Sequence, residues 1–157
     1  MYEFNLTLAM PFSEAMNAVR EALMAEQLGI VSEVDVQAIF RNKMGKEIPP
    51  YHILGACNPK LADRVISVEP NAGALLPCNV VVRAVDDNRT VISFLDPVTL
   101  LDLTHHDAPK AVGKHAKAML ERVAGRLTRA QRSLRPASAT VRPASTTTLA
   151  NSFSVIQ

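Results

Sequence analysis

The stretch from Tyr51 to Val82 constrains the chain most, because two short apolar runs stand here with both cysteines at their ends. The first, Tyr51-His-Ile-Leu-Gly-Ala56, leads into Cys57-Asn58-Pro59; the second opens as Pro77-Cys78-Asn79 and continues through Val80-Val81-Val82. Runs of this length, bounded by proline and asparagine, read as strands. Between them Pro59 opens a short helical pattern with Leu61, Val65 and Ile66 on its apolar side, ended by Pro70 and Gly73. Each thiol therefore stands at a predicted strand end, beside or near a proline and followed by asparagine.

The flanks read as scaffold. Tyr2 to Leu8 alternates, with Tyr2, Phe4, Leu6 and Leu8 on one side, the pattern of a half-buried strand. Pro11 sits in the first turn of a helix whose apolar stripe is Phe12, Met16, Val19 and Leu23, and Gly29 is read as its C-cap. Gly29 to Asp35 returns as a short strand, with Ile30 and Val31 inside and Glu33 outward or at a rim. Val36, Ile39, Phe40 and Met44 then mark a short helix closed by Gly45. Asn79 to Val85 is β-branched enough for a central strand, turned by Asp86-Asp87-Asn88-Arg89 into a hairpin with Thr90 to Leu95. Asp96-Pro97 starts a helical turn over Val98 to Leu103. Ala111 to Arg129 carries Val112, Ala116, Met119, Val123 and Leu127 on one face of a second long helix. Two amphipathic helices on one face of a mostly antiparallel five-stranded sheet make a two-layer α+β domain.

Length and composition fit this reading. A chain of 157 residues is one domain by length, and 48% apolar with 20% charged residues is ordinary for a soluble globule. No apolar run reaches the roughly 18 residues of a membrane span, and no secretory signal stands at Met1-Tyr-Glu-Phe, so a cytoplasmic protein with two reduced thiols is expected. Charge is uneven. Residues 1–109 hold 8 basic and 14 acidic side chains, whereas residues 110–142 hold 9 basic and 1 acidic. The folded domain is expected over 1–131. From 132 to 157 a flexible tail is expected, where Arg135-Pro-Ala-Ser-Ala-Thr140 recurs as Arg142-Pro-Ala-Ser-Thr-Thr147. Phe153 to Ile156 is its one segment with the makings of an edge strand.

These motifs resemble the domain of unknown function 302 family (DUF302). The resemblance rests on Pro11-Phe12, Gly29, Glu33-Val34-Asp35, Pro50-Tyr51, Ile53-Leu-Gly-Ala-Cys57-Asn58-Pro59, Ala62, Pro70, Leu75-Leu76-Pro77-Cys78-Asn79-Val80-Val81-Val82 and Asp96-Pro97. It covers about residues 1–128. It implies a sheet topology like that of the TATA-binding protein and a homodimer. It implies no reaction, and the fold likeness is no evidence of DNA binding.

The thiols are the leading chemical candidates. Twenty residues separate Cys57 from Cys78, so this is no CxxC motif; if their strands are neighbours, both sulfurs can share a pocket. The helix opened by Pro59 would lower a nearby thiol's pKa. The functional reading is a pair that binds a soft metal, a persulfide or an electrophile, or cycles to a disulfide; the plain reading is small residues packed where strands meet helices. Zinc would need further ligands from His52, His105, His106 or His115, and alternation puts His52 on the face opposite Cys57, so copper(I) suits two cysteines better. No metal-ligand set is assigned and no cofactor is expected.

Glu33 and Asp35 share a strand face and are candidates for paired carboxylates, with Asp35 more simply an N-cap for the helix at Val36. Asn58, Pro59 and Asn79 are candidate ligand contacts, with turn and cap roles as the plain alternative. The basic helix (Lys110, Lys114, Lys117, Arg122, Arg126, Arg129, Arg132) lacks interleaved aromatics, so nucleic acid and membrane are not the expected partners. The sequence is thus read as a binding or sensing module for a small ligand or soft metal at a two-cysteine cleft. A thiol-based redox or sulfur-handling enzyme is the alternative, and an interaction protein using the basic helix is the third.

Overall fold

The computed structural model describes residues 1–134. Strand β1 (Glu3–Leu8) is followed by helix α1 (Phe12–Ala25), strand β2 (Gly29–Asp35) and helix α2 (Val36–Met44). Strand β3 (Tyr51–Cys57), helix α3 (Pro59–Ile66) and a 3-10 turn at Pro70–Leu75 come next. The chain continues with β4 (Cys78–Asp86), β5 (Arg89–Leu95), α4 (Pro97–Leu101) and α5 (Asp107–Leu134). The five strands form one antiparallel sheet in the order β1-β5-β4-β3-β2. Helices α1 and α5 cover one face, so this is the two-layer α+β architecture expected.

The alternation in the strands decides which side chains meet the helices. Leu54 of β3 pairs with Val80 of β4, which pairs with Phe94 of β5, which pairs with Phe4 of β1. Leu54, Val80 and Phe94 are fully buried against Val19 and Leu23 of α1 and Leu120, Val123 and Leu127 of α5. Each such side chain contributes roughly 1.5–3 kcal/mol on leaving water.

Several boundaries differ from expectation for physical reasons. Helix α1 stops at Ala25, and Gln27 takes the left-handed conformation (φ 59°) that Gly29 was expected to supply; Leu28 N–H donates to Leu23 O across the turn. Gly29 is instead the first residue of β2. A bulge in β2 lets Ile30 and Ser32 face consecutive residues Ala56 and Gly55, so Val31 is unpaired and exposed rather than inside. The same bulge puts Glu33 level with buried Leu54, at the exposed rim of the sheet and within reach of Arg20 on α1. Helix α5 is longer than predicted at both ends. It begins at Asp107 with Pro109 in its first turn and runs to Leu134, past the expected boundary at 131. The rest of the expected tail, 135–157, with its repeat and Phe153–Ile156, lies outside the described residues. None of the helices described is long and apolar enough to cross a membrane.

Candidate functional site: a thiol pair at one end of the sheet

Strands β3 and β4 are neighbours, and Ala56 faces Cys78 across them, so Cys57 lies one residue beyond the partner of Cys78. Gly55 permits the approach. A Cβ there would overlap Ser32 Oγ and come within 2.6 Å of Pro77 Cγ, so the ring of Pro77 lies where a side chain would be. Both cysteines line one cavity of about 30 Å³, otherwise walled largely by Leu28, Leu61, Leu76, Leu101 and Val112. That is room for an ion or a single water, far below the roughly 300–1,000 Å³ of sites for organic ligands.

Neither cysteine is bonded to another. Burial pushes the Cys78 thiol up to about 11, and the neighbouring Cys57 adds to that push. Burial also raises Cys57. The depression expected from the helix after Pro59 is therefore not what results, because desolvation outweighs it. Burial thus favours the protonated form of both thiols.

The remaining predicted residues scatter. Asn58 borders the same cavity but is committed to structure: its Oδ1 accepts from Lys60 N–H at 3.0 Å and Leu61 N–H at 3.3 Å, and its amide donates to Gln27 O. Pro59 occupies the first turn of α3 and is exposed. Asn79, next in register after Cys78, lies on the uncovered sheet face, in a groove of about 400 Å³ with Tyr2, Asn5, Tyr51 and Arg83. Alternation thus divides the motif between the two faces of the sheet.

Glu33 and Asp35 sit near the other end of β3. Arg20 Nη2 of α1 lies 2.7 Å from both Glu33 oxygens, and His52 Nδ1 lies 2.9 Å from Glu33 Oε1. Asp35 caps α2 by accepting from Ala38 N–H at 2.9 Å, and its other oxygen is 3.5 Å from His52 Nε2. The Arg20 guanidinium, and after it His52, hold the Glu33 carboxyl below its usual range. Sequence reasoning did not join Arg20 and His52 to this pair. The signal was weak, since it needs the bulge at Val31. The other histidines considered for zinc stand apart from the thiol cavity: Glu69 Oε1 accepts from the His106 ring at 2.6 Å and from the His105 and His106 N–H groups.

The basic face of α5 is partly spent on the acidic body. Lys117 reaches Asp96 at 2.9 Å, while Arg122 and Arg126 grip the two oxygens of Glu26 at 2.9 and 3.0 Å.

Comparison with known proteins agrees with the motif pattern. The chain matches no curated protein. It is similar to the structure described as "uncharacterized conserved protein DUF302 from Bacillus stearothermophilus", at 26% sequence identity and TM-score 0.70, covering 82% of this chain and 98% of that one. The family model for the domain of unknown function DUF302 matches residues 4–127, most of the described structure, and the chain belongs to that family.

Proposed function

We propose that this chain is a thiophilic binding module in which Cys57 and Cys78 together take one soft d10 metal ion, with copper(I) the best fit to two sulfur donors. The observation that carries this is the shared cavity: two thiols, apolar walls and a volume suited to an ion rather than an organic molecule. Binding would displace two protons from thiols that burial keeps protonated, so affinity should rise with pH. A small organic ligand between the cysteines is disfavoured by the volume alone.

The adjacency of the thiols also suits the redox alternative. In it two S–H groups join as a disulfide, giving two protons and two electrons to a peroxide-class oxidant. Thiolate is the species that both attacks an oxidant and binds a metal, so the raised thiol pKa slows either reaction near neutral pH and does not separate the two readings. A cytoplasmic, reducing setting belongs to the proposal, as does a homodimer. The homodimer draws support from the apolar side chains Val31, Val34, Ile39 and Met44, which one copy leaves exposed on β2 and α2.

The test is titration of reduced protein with copper(I) under a competing chelator, with stoichiometry read by mass spectrometry. One ion per chain, lost in both Cys57→Ser and Cys78→Ser, is the expected result. Binding that survives either substitution would overturn the proposal. Formation of an intramolecular disulfide by stoichiometric peroxide, with no ion bound, would favour the redox reading.

A further inference from the structure

A second cleft lies beside the thiol cavity, sharing Asn58 and Leu61 with it, and its chemistry is different. Three elements meet there. Helix α3 offers Lys60 and Arg64, one turn apart; α5 offers His115, Met119 and Arg122 at spacings of four and three, hence on one face; and the end of α1 closes the cleft with Ala25, Glu26 and Gln27. The open cleft has a volume of about 540 Å³, within the range of small-molecule sites. Its apolar contribution comes from Leu61 and Met119, both buried.

The acceptors around this cleft are already engaged. Both oxygens of Glu26 are held by Arg122 and Arg126, which hold its carboxyl below the usual range. The Asn58 Oδ1 is used by the α3 N–H groups, and Gln27 O by the Asn58 amide. The donors are not engaged to the same extent. Arg122 meets Glu26 through Nε, and among the described residues Lys60, Arg64 and His115 make no ion pair or side-chain hydrogen bond. A concave site with spare cationic donors and a small apolar surface calls for an anion.

We infer that this cleft binds a small organic oxyanion, an apolar group carrying a phosphate or carboxylate head. Arg64 and Arg122 offer forked donors to the head, Lys60 a mobile charge beside them, and Leu61 with Met119 a surface for the apolar part. This site is independent of metal binding at the thiols.

The probes are phenyl phosphate and benzoate, titrated into the full chain in low salt and followed by amide chemical shifts. Saturable shifts clustered at Lys60, Arg64, His115 and Arg122 are expected, and the tighter of the two probes identifies the head group. Lys60→Gln/Arg64→Gln, both exposed positions, should weaken binding at least tenfold, while Lys43→Gln on α2 should leave it unchanged. No saturable shifts at millimolar probe, or shifts indifferent to the double substitution, would overturn the assignment. So would tighter binding to phosphatidylserine vesicles or single-stranded DNA than to either probe, with the same residues perturbed, because the cleft would then be part of an extended polyanion surface.

Discussion

Strand β3 carries a candidate site towards each end, and the two ends answer the question of burial in opposite ways. At Cys57 the walls are apolar and no charge partner is at hand, so desolvation dominates and raises the thiols of Cys57 and Cys78. At His52 the neighbouring carboxylates Glu33 and Asp35 are partly exposed and already partnered by Arg20, His52 and the α2 N-terminus, and Glu33 is lowered. One end keeps its protons beside a small apolar cavity; the other consumes its charges in holding α1, β2 and β3 together. Ionisable groups with spent partners are poor candidates for chemistry, whereas a pair of unbonded thiols facing a void has valence left to use. This contrast is the reason the proposed chemistry is assigned to the cysteine end.

The largest effect expected from this contrast is at alkaline pH. Below about pH 9 the Cys78 thiol is protonated in folded and unfolded chains alike. Between 9.0 and about 11 the unfolded chain has released its proton while the folded chain retains it, so stability falls as pH rises through that window. The total is about 3 kcal/mol from the pKa difference. Urea unfolding across pH 8–11 should show the decline in the native chain and a shallower one in Cys78→Ala, the difference removing the titration of lysines and tyrosines common to both.

The next effect concerns how the thiol end is built. Gly55→Ala forces Pro77 to move and turns Ser32 aside, at a cost of about 2 kcal/mol. Thermal melting should drop by roughly 4–8 °C for a chain of this size. The alkylation rates of Cys57 and Cys78 in the folded protein should rise as well, because Pro77 helps to close their cavity. A stable variant with unchanged alkylation would show that the approach at Gly55 does not set the cavity.

The smallest effect tests the other end. Glu33→Gln removes ion pairs that are substantially exposed, so the loss near neutral pH should be about 0.5 kcal/mol. Its folded-state pKa is depressed, so this stabilisation is present above about 4.5 and disappears as pH falls through the lower folded value. Native and variant proteins should therefore converge in stability in acid. Divergence that grows in acid would contradict the pairing.

Much of this was legible in the residues, because period-two and helical spacings of apolar side chains report directly on which face is buried. The five strands, both long helices and the Asp35 and Asn58 caps follow from such local patterns. The bulge at Val31 was not legible: it brings Glu33 level with Leu54 and leaves Val31 exposed, and nothing local marks it. The end of α1 was misread because Gln27 does the turning that glycine more often does. The thiols' adjacency depended on β3 and β4 being neighbours, a long-range fact, and their pKa on a cavity whose walls come from several elements. Asn79 stands apart from the thiol cavity for a simpler reason, the alternation that sends neighbours to opposite faces.

The most direct measurement is the copper(I) titration of the reduced chain beside its two single cysteine variants, at two pH values on either side of neutrality. The account predicts one ion per chain, bound more tightly at the higher pH and by neither Cys57→Ser nor Cys78→Ser. Failure of the native chain to compete for copper(I), or equal binding by a single-cysteine variant, would contradict it and leave the two cysteines as packing residues.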